Sequence, residues 1–338
     1  MKRSLQVLGF VATLLLSAPA VALCQTPDGS DPVRIATIKV DVDMVVVNAT
    51  VTDRDNHPVT GLEPEEFQLW EDKVEQHIEF FSEEQVPLSV GIIFDVSGSM
   101  EDKIAAARDA AVLFFKLGSS ADEYFLIEFS EEPKLIQDWT TDITKLQNRL
   151  IVTVPEGRTA LYDAVYLGLE KLKTAQNGRK ALLLISDGGD NHSRYTTSDI
   201  QAFVREQDVQ IYAIGLEDED FYSTVYNSLD PVSRTWLPAP AYPAVTAGHE
   251  VIQGLTDPTG GRAFFIKSTD TLEEVCASIA RELKMEYIIG YRSSNPARDG
   301  KWRKIRVKVT PPKTLRTVEV RSRSGYYADS LSGDVQTK

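Results

Sequence analysis

The chain has 338 residues, of which 42% are hydrophobic and 25% are charged. This composition can bury one large core or two modest ones, and it therefore excludes a chain that is disordered as a whole. The formal net charge is −14, and the loss of the two cations Lys2 and Arg3 would change it to −16. This acidity disfavours a nucleic-acid partner.

The first residues have the three regions of a secretory signal peptide. Lys2 and Arg3 are followed by an apolar run at 7–16 and by small residues at 18–22. The run is too short to span a bilayer, and no other stretch approaches ~20 apolar residues. We therefore predict a signal peptide at 1–22, a mature chain without a transmembrane segment, and a secreted or periplasmic location.

The two cysteines lie in different settings. Cys24 stands just beyond the predicted cleavage points and raises the alternative of a lipid anchor. Leu23 disfavours that alternative, because lipoprotein processing sites carry a small residue before the cysteine. Cys276 lies on the apolar face of a predicted helix and is interpreted as a buried, inert thiol. Residues 23–33 are polar and are predicted to form a linker.

Segments with the sequence character of β-strands occur near both ends of the chain. They are rich in valine or alternate between apolar and polar residues. The segments before residue 85 are too few to be stable alone, and the missing strands are predicted near the other end. The segments are 38–53, 67–70, 77–81, 286–291, 302–309 and 317–323.

The middle of the chain alternates near-continuous apolar runs with amphipathic helical patterns. Such runs are typical of parallel strands that helices cover on both faces. We predict a doubly wound, Rossmann-like α/β domain at 86–285, inserted in a small β-sandwich-like domain that both termini form. The β-domain would comprise 34–85 and 286–328, followed by a disordered tail at 329–338.

One turn in this α/β domain carries candidate metal ligands. Asp95, Ser97 and Ser99 follow the apolar run 88–94 and precede a helical pattern, so they are predicted to lie at the carboxyl end of a buried strand. Gly98 allows the backbone to fold back tightly at this point. A carboxylate and two hydroxyls that converge on such a turn suit a small divalent cation such as Mg²⁺ or Mn²⁺.

This turn resembles the Asp-x-Ser-x-Ser element of the metal-ion-dependent adhesion site (MIDAS) in von Willebrand factor type A (VWA) domains. The stretch 157–164 looks like the threonine loop of that family, and 182–188 looks like its distal aspartate strand. The resemblance covers about 200 residues, and the flanking β-segments are similar to those of secreted bacterial proteins of the family. It implies that the metal ligands are Asp95, Ser97, Ser99, Thr159 and Asp187.

The resemblance also implies how these residues share the metal. Ser97 and Ser99 would bind it directly, Thr159 directly or through water, and Asp95 and Asp187 largely through water. One coordination position stays open, and the family fills it with an acidic side chain from a protein partner. The implied function is therefore a metal-dependent protein–protein interaction or adhesion module without enzymatic activity.

Two other functions remain alternatives. A metal site on a Rossmann-like domain could support hydrolysis of phosphoesters, although the turn supplies neither a phosphate-cradling glycine loop nor a convincing nucleophile. The four histidines show no zinc-ligand or Ser-His-Asp spacing. The other alternative is a structural envelope module in which the metal site is vestigial.

Three further stretches stand out. An insert at 217–248 contains several aromatic residues, which either line a partner surface or pack on their own loop. The stretch 53–56 has two aspartates but lacks the glycine and glutamate of an EF-hand, so a plain turn is predicted. Of the basic residues in 301–323, Lys304, Arg306 and Lys308 alternate with apolar residues, which favours a solvated strand face over a polyanion site.

Overall fold

A computed structural model describes the part of the chain that carries the predicted site and both predicted domains. The predicted signal peptide, linker and tail lie outside the described residues, as do residues 218–241 of the insert. The described residues are 44–83, 86–217, 242–267, 271–311 and 317–328, with the backbone alone for 242–247.

Six strands form the central sheet, in the order β10-β9-β8-β5-β6-β7. The first five run parallel to one another, and β7 pairs antiparallel with β6 at the edge. Apart from β7, these strands overlap the apolar runs that predict them, at 88–94, 124–127, 181–185, 209–214 and 263–266. The strands are β5 (Leu88–Asp95), β6 (Glu123–Phe129), β7 (Pro133–Thr140), β8 (Arg179–Ser186), β9 (Gln210–Leu216) and β10 (Ala263–Ile266).

Helices cover both faces of this sheet, because its strands are apolar on both sides. All eight residues of β5 are buried. Residues of α1, α2 and α6 pack into the core on one face, and residues of α3, α4 and α5 into the core on the other. The doubly wound prediction is confirmed. The helices are α1 (Ile104–Leu117), α2 (Ile143–Ile151), α3 (Leu161–Leu172), α4 (Thr197–Glu206), α5 (Tyr242–Thr256) and α6 (Leu272–Lys284), with short 3₁₀ turns at Pro64–Glu66, Gly98–Met100 and Asp257–Thr259.

Two antiparallel sheets, each of four strands, contain strands from both ends of the chain. Their orders are β13-β1-β11-β4 and β14-β12-β2-β3, and they share one apolar core. This arrangement confirms a β-domain that both termini form, whereas its exact limits stay a prediction. The strands are β1 (Val45–Thr52), β2 (Phe67–Glu71), β3 (Val74–Gln76), β4 (Ile78–Ser82), β11 (Tyr287–Tyr291), β12 (Trp302–Val309), β13 (Glu319–Ser322) and β14 (Gly325–Tyr327).

Some elements differ from the sequence expectations. The edge strand β7 and the helix α2 were not predicted. The predicted insert ends near Gly248, but α5 already begins at Tyr242. Cys276 is buried, and this burial raises the pKa of its thiol to about 12, in keeping with an inert role. Among the described helices, none combines the length and apolarity that a membrane crossing requires.

Candidate metal centre

The candidate site lies where two neighbouring parallel strands end. β5 ends at Asp95 and β8 ends at Ser186, and the register of the two strands places these ends side by side. Ser186 donates a hydrogen bond to Asp95 Oδ2 over 2.6 Å. The turn after β5 and the residue Asp187 therefore emerge at one edge of the sheet, as expected for functional loops in this fold class.

The turn after β5 brings oxygen atoms together at a spacing that suits a small cation. Asp95 is fully buried, and its Oδ1 accepts the backbone N–H of Ser97 over 2.9 Å. The Oγ atoms of Ser97 and Ser99 lie 3.1 Å apart. Neighbouring ligands of an octahedral Mg²⁺ at 2.0–2.1 Å lie about 2.9 Å apart, so the two hydroxyls are spaced as adjacent ligands.

The carboxyl of Asp95 is held in an environment that disfavours its charge. Burial raises its pKa to about 6, the nearby charge of Asp187 adds to the effect, and hydrogen bonds from Ser186 and Ser97 oppose it. Its hydrogen bonds come from a hydroxyl and a backbone amide, and these donors only partly compensate a buried anion. A bound cation would supply the missing charge, and the donor set therefore fits a metal.

The threonine loop is fastened to this turn by backbone hydrogen bonds. Gly98 N donates to Gly157 O over 3.0 Å, and Glu156 N donates to Val96 O over 2.9 Å. Gly157 has φ +82°, and a Cβ there would lie 3.0 Å from Glu131 Cγ. A residue with a side chain would therefore be strained at this position, because L-residues rarely adopt this φ.

Thr159 itself is fixed from its other side. Its backbone N–H donates to Asn191 Oδ1 over 3.0 Å, and its carbonyl accepts the N–H groups of Asn191 and His192. Only 3% of Thr159 is exposed. The loop after β8 thus holds the threonine loop in place beside the turn after β5.

Asp187 has a partner that the sequence did not predict. Lys103, directly before α1, places its Nζ 3.1 Å from Asp187 Oδ2. The two side chains are only 12% and 13% exposed. No local pattern signals this ion pair, because 84 residues separate the partners. The structure thus gathers the five predicted ligand residues at one edge and adds a lysine to them.

A second group of potential ligands lies in the β-domain. Ligand atoms of Asp53, Asp55 and His57 lie within 4.8 Å of one another. Asp53 Oδ1 already accepts the backbone N–H groups of Asp55 and His57. These hydrogen bonds are those of a side-chain-capped turn, the structure that the sequence predicts for this stretch.

Comparison with known proteins identifies the central part of the chain. The family model of the von Willebrand factor type A domain matches residues 90–189. This part of the chain is a VWA domain. The matched range contains all five predicted metal ligands and Lys103.

Similar proteins come from several bacteria. A UPF0353 protein of Mycolicibacterium paratuberculosis (strain ATCC BAA-968 / K-10) is 24% identical over 226 residues, which are 62% of this chain and 65% of that protein. The match thus spans just under two thirds of the relative's length. The solved von Willebrand factor type A structure from Catenulispora acidiphila has 13% identity and a TM-score of 0.46, covering 83% of this chain and 73% of that one. BatB from Bacteroides thetaiotaomicron has 15% identity and a TM-score of 0.44, covering 58% and 99%.

Proposed function

We propose that this chain is a metal-dependent protein-binding module that takes part in adhesion rather than catalysis. Mg²⁺ or Mn²⁺ would be held at the edge of the central sheet and would bind an acidic side chain of a partner protein. The convergence of carboxylate and hydroxyl oxygens at this edge, with Ser97 and Ser99 spaced as adjacent ligands, carries the proposal. The ligands would be Asp95, Ser97, Ser99, Thr159 and Asp187.

The chemistry of these ligands favours a carboxylate as the last one. The serine and threonine hydroxyls that would bind the metal directly are neutral, and Asp95 and Asp187 would act largely through water, so the directly bound oxygens leave much of the cation's charge uncompensated. An exposed Asp or Glu of a partner supplies both an oxygen and a negative charge. The metal would thus attract acidic groups to a protein that is itself acidic overall.

An aliphatic surface next to the threonine loop offers additional contact area to a partner. Ile151, Val152 and Val154 are 69%, 75% and 71% exposed. Between them, the buried Thr153 donates to Glu128 Oε1 over 2.5 Å, and its carbonyl accepts a hydrogen bond from the Arg108 guanidinium. These bonds fix the loop with its aliphatic side chains in solvent, where apolar contacts can supplement a lone metal–carboxylate bond.

We further propose that the partner is met outside the cytoplasm. The signal peptide predicted at 1–22 supports a secreted or periplasmic protein, with a lipid anchor at Cys24 as the alternative. The insert at 217–248 remains a second candidate for partner selection, because its aromatic residues are of the types that anchor interfaces.

Metal binding is the first test of this function. Binding to the native state alone adds about 2.7 kcal/mol to the unfolding free energy at a metal concentration of ~100 Kd. Asp95→Ala should abolish this gain, whereas Asp109→Ala, at an exposed position of α1, should retain it. Thermal unfolding with Mg²⁺, Mn²⁺ or chelator measures both. A wild-type melting temperature that is indifferent to metal and chelator would show that the site assignment is wrong.

Partner capture is the second test. Wild type and Thr159→Ala, each with and without chelator, are used to capture proteins from the envelope fraction of the source organism. We expect partners that only the metal-loaded wild type retains. Partners that ignore both the substitution and the chelator would place the binding surface elsewhere. Phosphoester turnover would favour the hydrolase alternative, and metal binding without any partner would favour the structural one.

A further inference from the structure

The contact between Lys103 and Asp187 sets a cation against one of the proposed metal ligands. The Lys103 Nζ and Asp187 Oδ2 atoms are 3.1 Å apart. Both side chains are mostly shielded from solvent, so water screens their interaction less than on an open surface. The ammonium therefore compensates the charge of Asp187 within the protein itself.

The backbone of Lys103 is anchored to the same turn that carries the serine ligands. Its N–H donates to Met100 O over 2.9 Å, and its carbonyl accepts Ala107 N over 3.0 Å. The lysine thus begins α1 in a fixed position, and its long side chain reaches Asp187 after β8. Rotation of either side chain can therefore separate the two charges without moving α1.

The charge balance of the site changes when this lysine is counted. Asp95 and Asp187 alone would neutralise a divalent cation. With Lys103 included, the three side chains carry a net charge of −1, and the metal-loaded site carries +1. A divalent cation beside an ammonium in a shielded site is repelled by it, and both attract the same carboxylate.

We propose that Lys103 competes with the metal for Asp187 and thereby lowers the affinity of the site for divalent cations. This inference rests on the proposed function, since it requires that Asp187 is a metal ligand. For the metal to use Asp187 fully, the ammonium must withdraw from the carboxylate. Lys103 is thus a residue that sets metal affinity without binding the metal.

The opposite role for Lys103 gives the opposite sign. If its ammonium only positioned Asp187 for the metal, its removal would loosen the carboxylate and weaken metal binding. If it competes, its removal leaves a carboxylate without a counter-charge, and the metal binds more tightly. The direction of the change in metal affinity therefore separates the two roles.

The experiment titrates the full chain with MgCl₂ and MnCl₂ by calorimetry. Lys103→Met keeps much of the side-chain volume and removes the charge, and we expect it to bind the metal about tenfold or more tightly. Lys103→Arg keeps the charge and should stay within about threefold of the wild type. In chelator, Lys103→Met should have a lower melting temperature than the wild type, because Asp187 then lacks its partner.

The outcomes distinguish this inference from the function on which it rests. If the wild type binds metal and Lys103→Met binds it equally or more weakly, the competition is disproved while the metal site stands. If neither the wild type nor Lys103→Met binds metal, so that both give the same calorimetric result as Asp95→Ala, the proposed function fails. If Lys103→Met does not fold in chelator, Lys103→Gln replaces it, with circular dichroism confirming the fold before titration.

Discussion

At the scale of single residues, the edge of the sheet that carries the candidate metal site depends on buried side chains and on close backbone contacts. Asp95 is wholly buried and bonded to two neighbours, so it fixes the turn as well as supplying charge. Gly188 has φ +83°, and a Cβ there would meet Gly248 O at 2.8 Å. The site is thus built on close backbone contacts that tolerate little change.

The raised pKa of Asp95 makes stability without metal depend on pH. Burial moves this pKa from 3.8 to about 6, so in that window the folded chain holds a proton that the unfolded chain has lost. The unfolding free energy therefore falls as pH rises through the window, by at most about 3 kcal/mol. Denaturant unfolding in chelator should show that the unfolding free energy of the wild type falls with pH in this window more than that of Asp95→Asn does. If the difference between the two unfolding free energies does not change with pH, the pKa of Asp95 is not raised.

The same residues show what the sequence can and cannot predict. Asp95, Ser97 and Ser99 are predicted as ligands because their spacing within one turn is local. Thr159 and Asp187 are predicted as ligands only through the family resemblance, since nothing in their own neighbourhood indicates a metal. The pairing of Lys103 with Asp187 was missed, because it depends on how α1 and the loop after β8 are placed in three dimensions. A contact between two distant residues leaves no periodic pattern in the sequence.

At the scale of elements, strands that are buried on both faces were predicted and the exposed edge was not. β5 and β8 contain near-continuous apolar runs and are buried along almost their whole length. β7 is mostly half-buried or exposed, and its pairing with β6 shifts register, so its sequence shows neither a run nor a clean alternation. The stretch Ser198-Asp199-Ile200-Gln201 has the Ser-x-x-Gln form of a capping box, but Thr196 and Asp199 form the capping box of α4, two residues earlier. Several residues that can cap a helix are adjacent in this stretch, so the sequence indicates the start of α4 without fixing which residue caps it.

The aliphatic loop between α2 and Thr159 should serve binding and not stability. Because Val152 and Val154 are exposed, Val152→Ser with Val154→Ser should change the unfolding free energy by about 0.5 kcal/mol or less. The buried neighbour Leu150 is the matched control, since Leu150→Ala should cost about 2–5 kcal/mol. Denaturant unfolding measures both effects. Under conditions in which all the proteins are folded, the double variant should capture less partner than the wild type, whereas Leu150→Ala should capture as much. Unchanged capture by that variant would exclude the loop from the interface.

At the scale of the whole molecule, the two ends of the chain depend on each other. β1 pairs with β11 and β13, and β2 pairs with β12, so strands before the VWA domain are stabilised by strands after it. The end of the VWA domain is also tied inward, because Arg179 at the start of β8 forms an ion pair of 2.6 Å with the buried Glu286. This ion pair ties the residue directly before β11 to the central sheet, and the domain limit predicted at residue 285 stays a prediction.

Fragments of the chain test this dependence. A fragment of residues 44–285 lacks β11 to β14, so β1 loses both neighbours and β2 loses one, which exposes strand edges that favour aggregation. A fragment of 86–286 keeps the whole central sheet and Glu286 without any residue of β11, and it should fold as a unit of monomer size. Co-expression of 286–328 with 44–285 should restore solubility, whereas a matched segment with Ile305→Asp, at a buried position of β12, should not. Size-exclusion chromatography and NMR dispersion measure these outcomes. A well-dispersed spectrum from residues 44–83 alone would show that the first four strands need no partner from the other end.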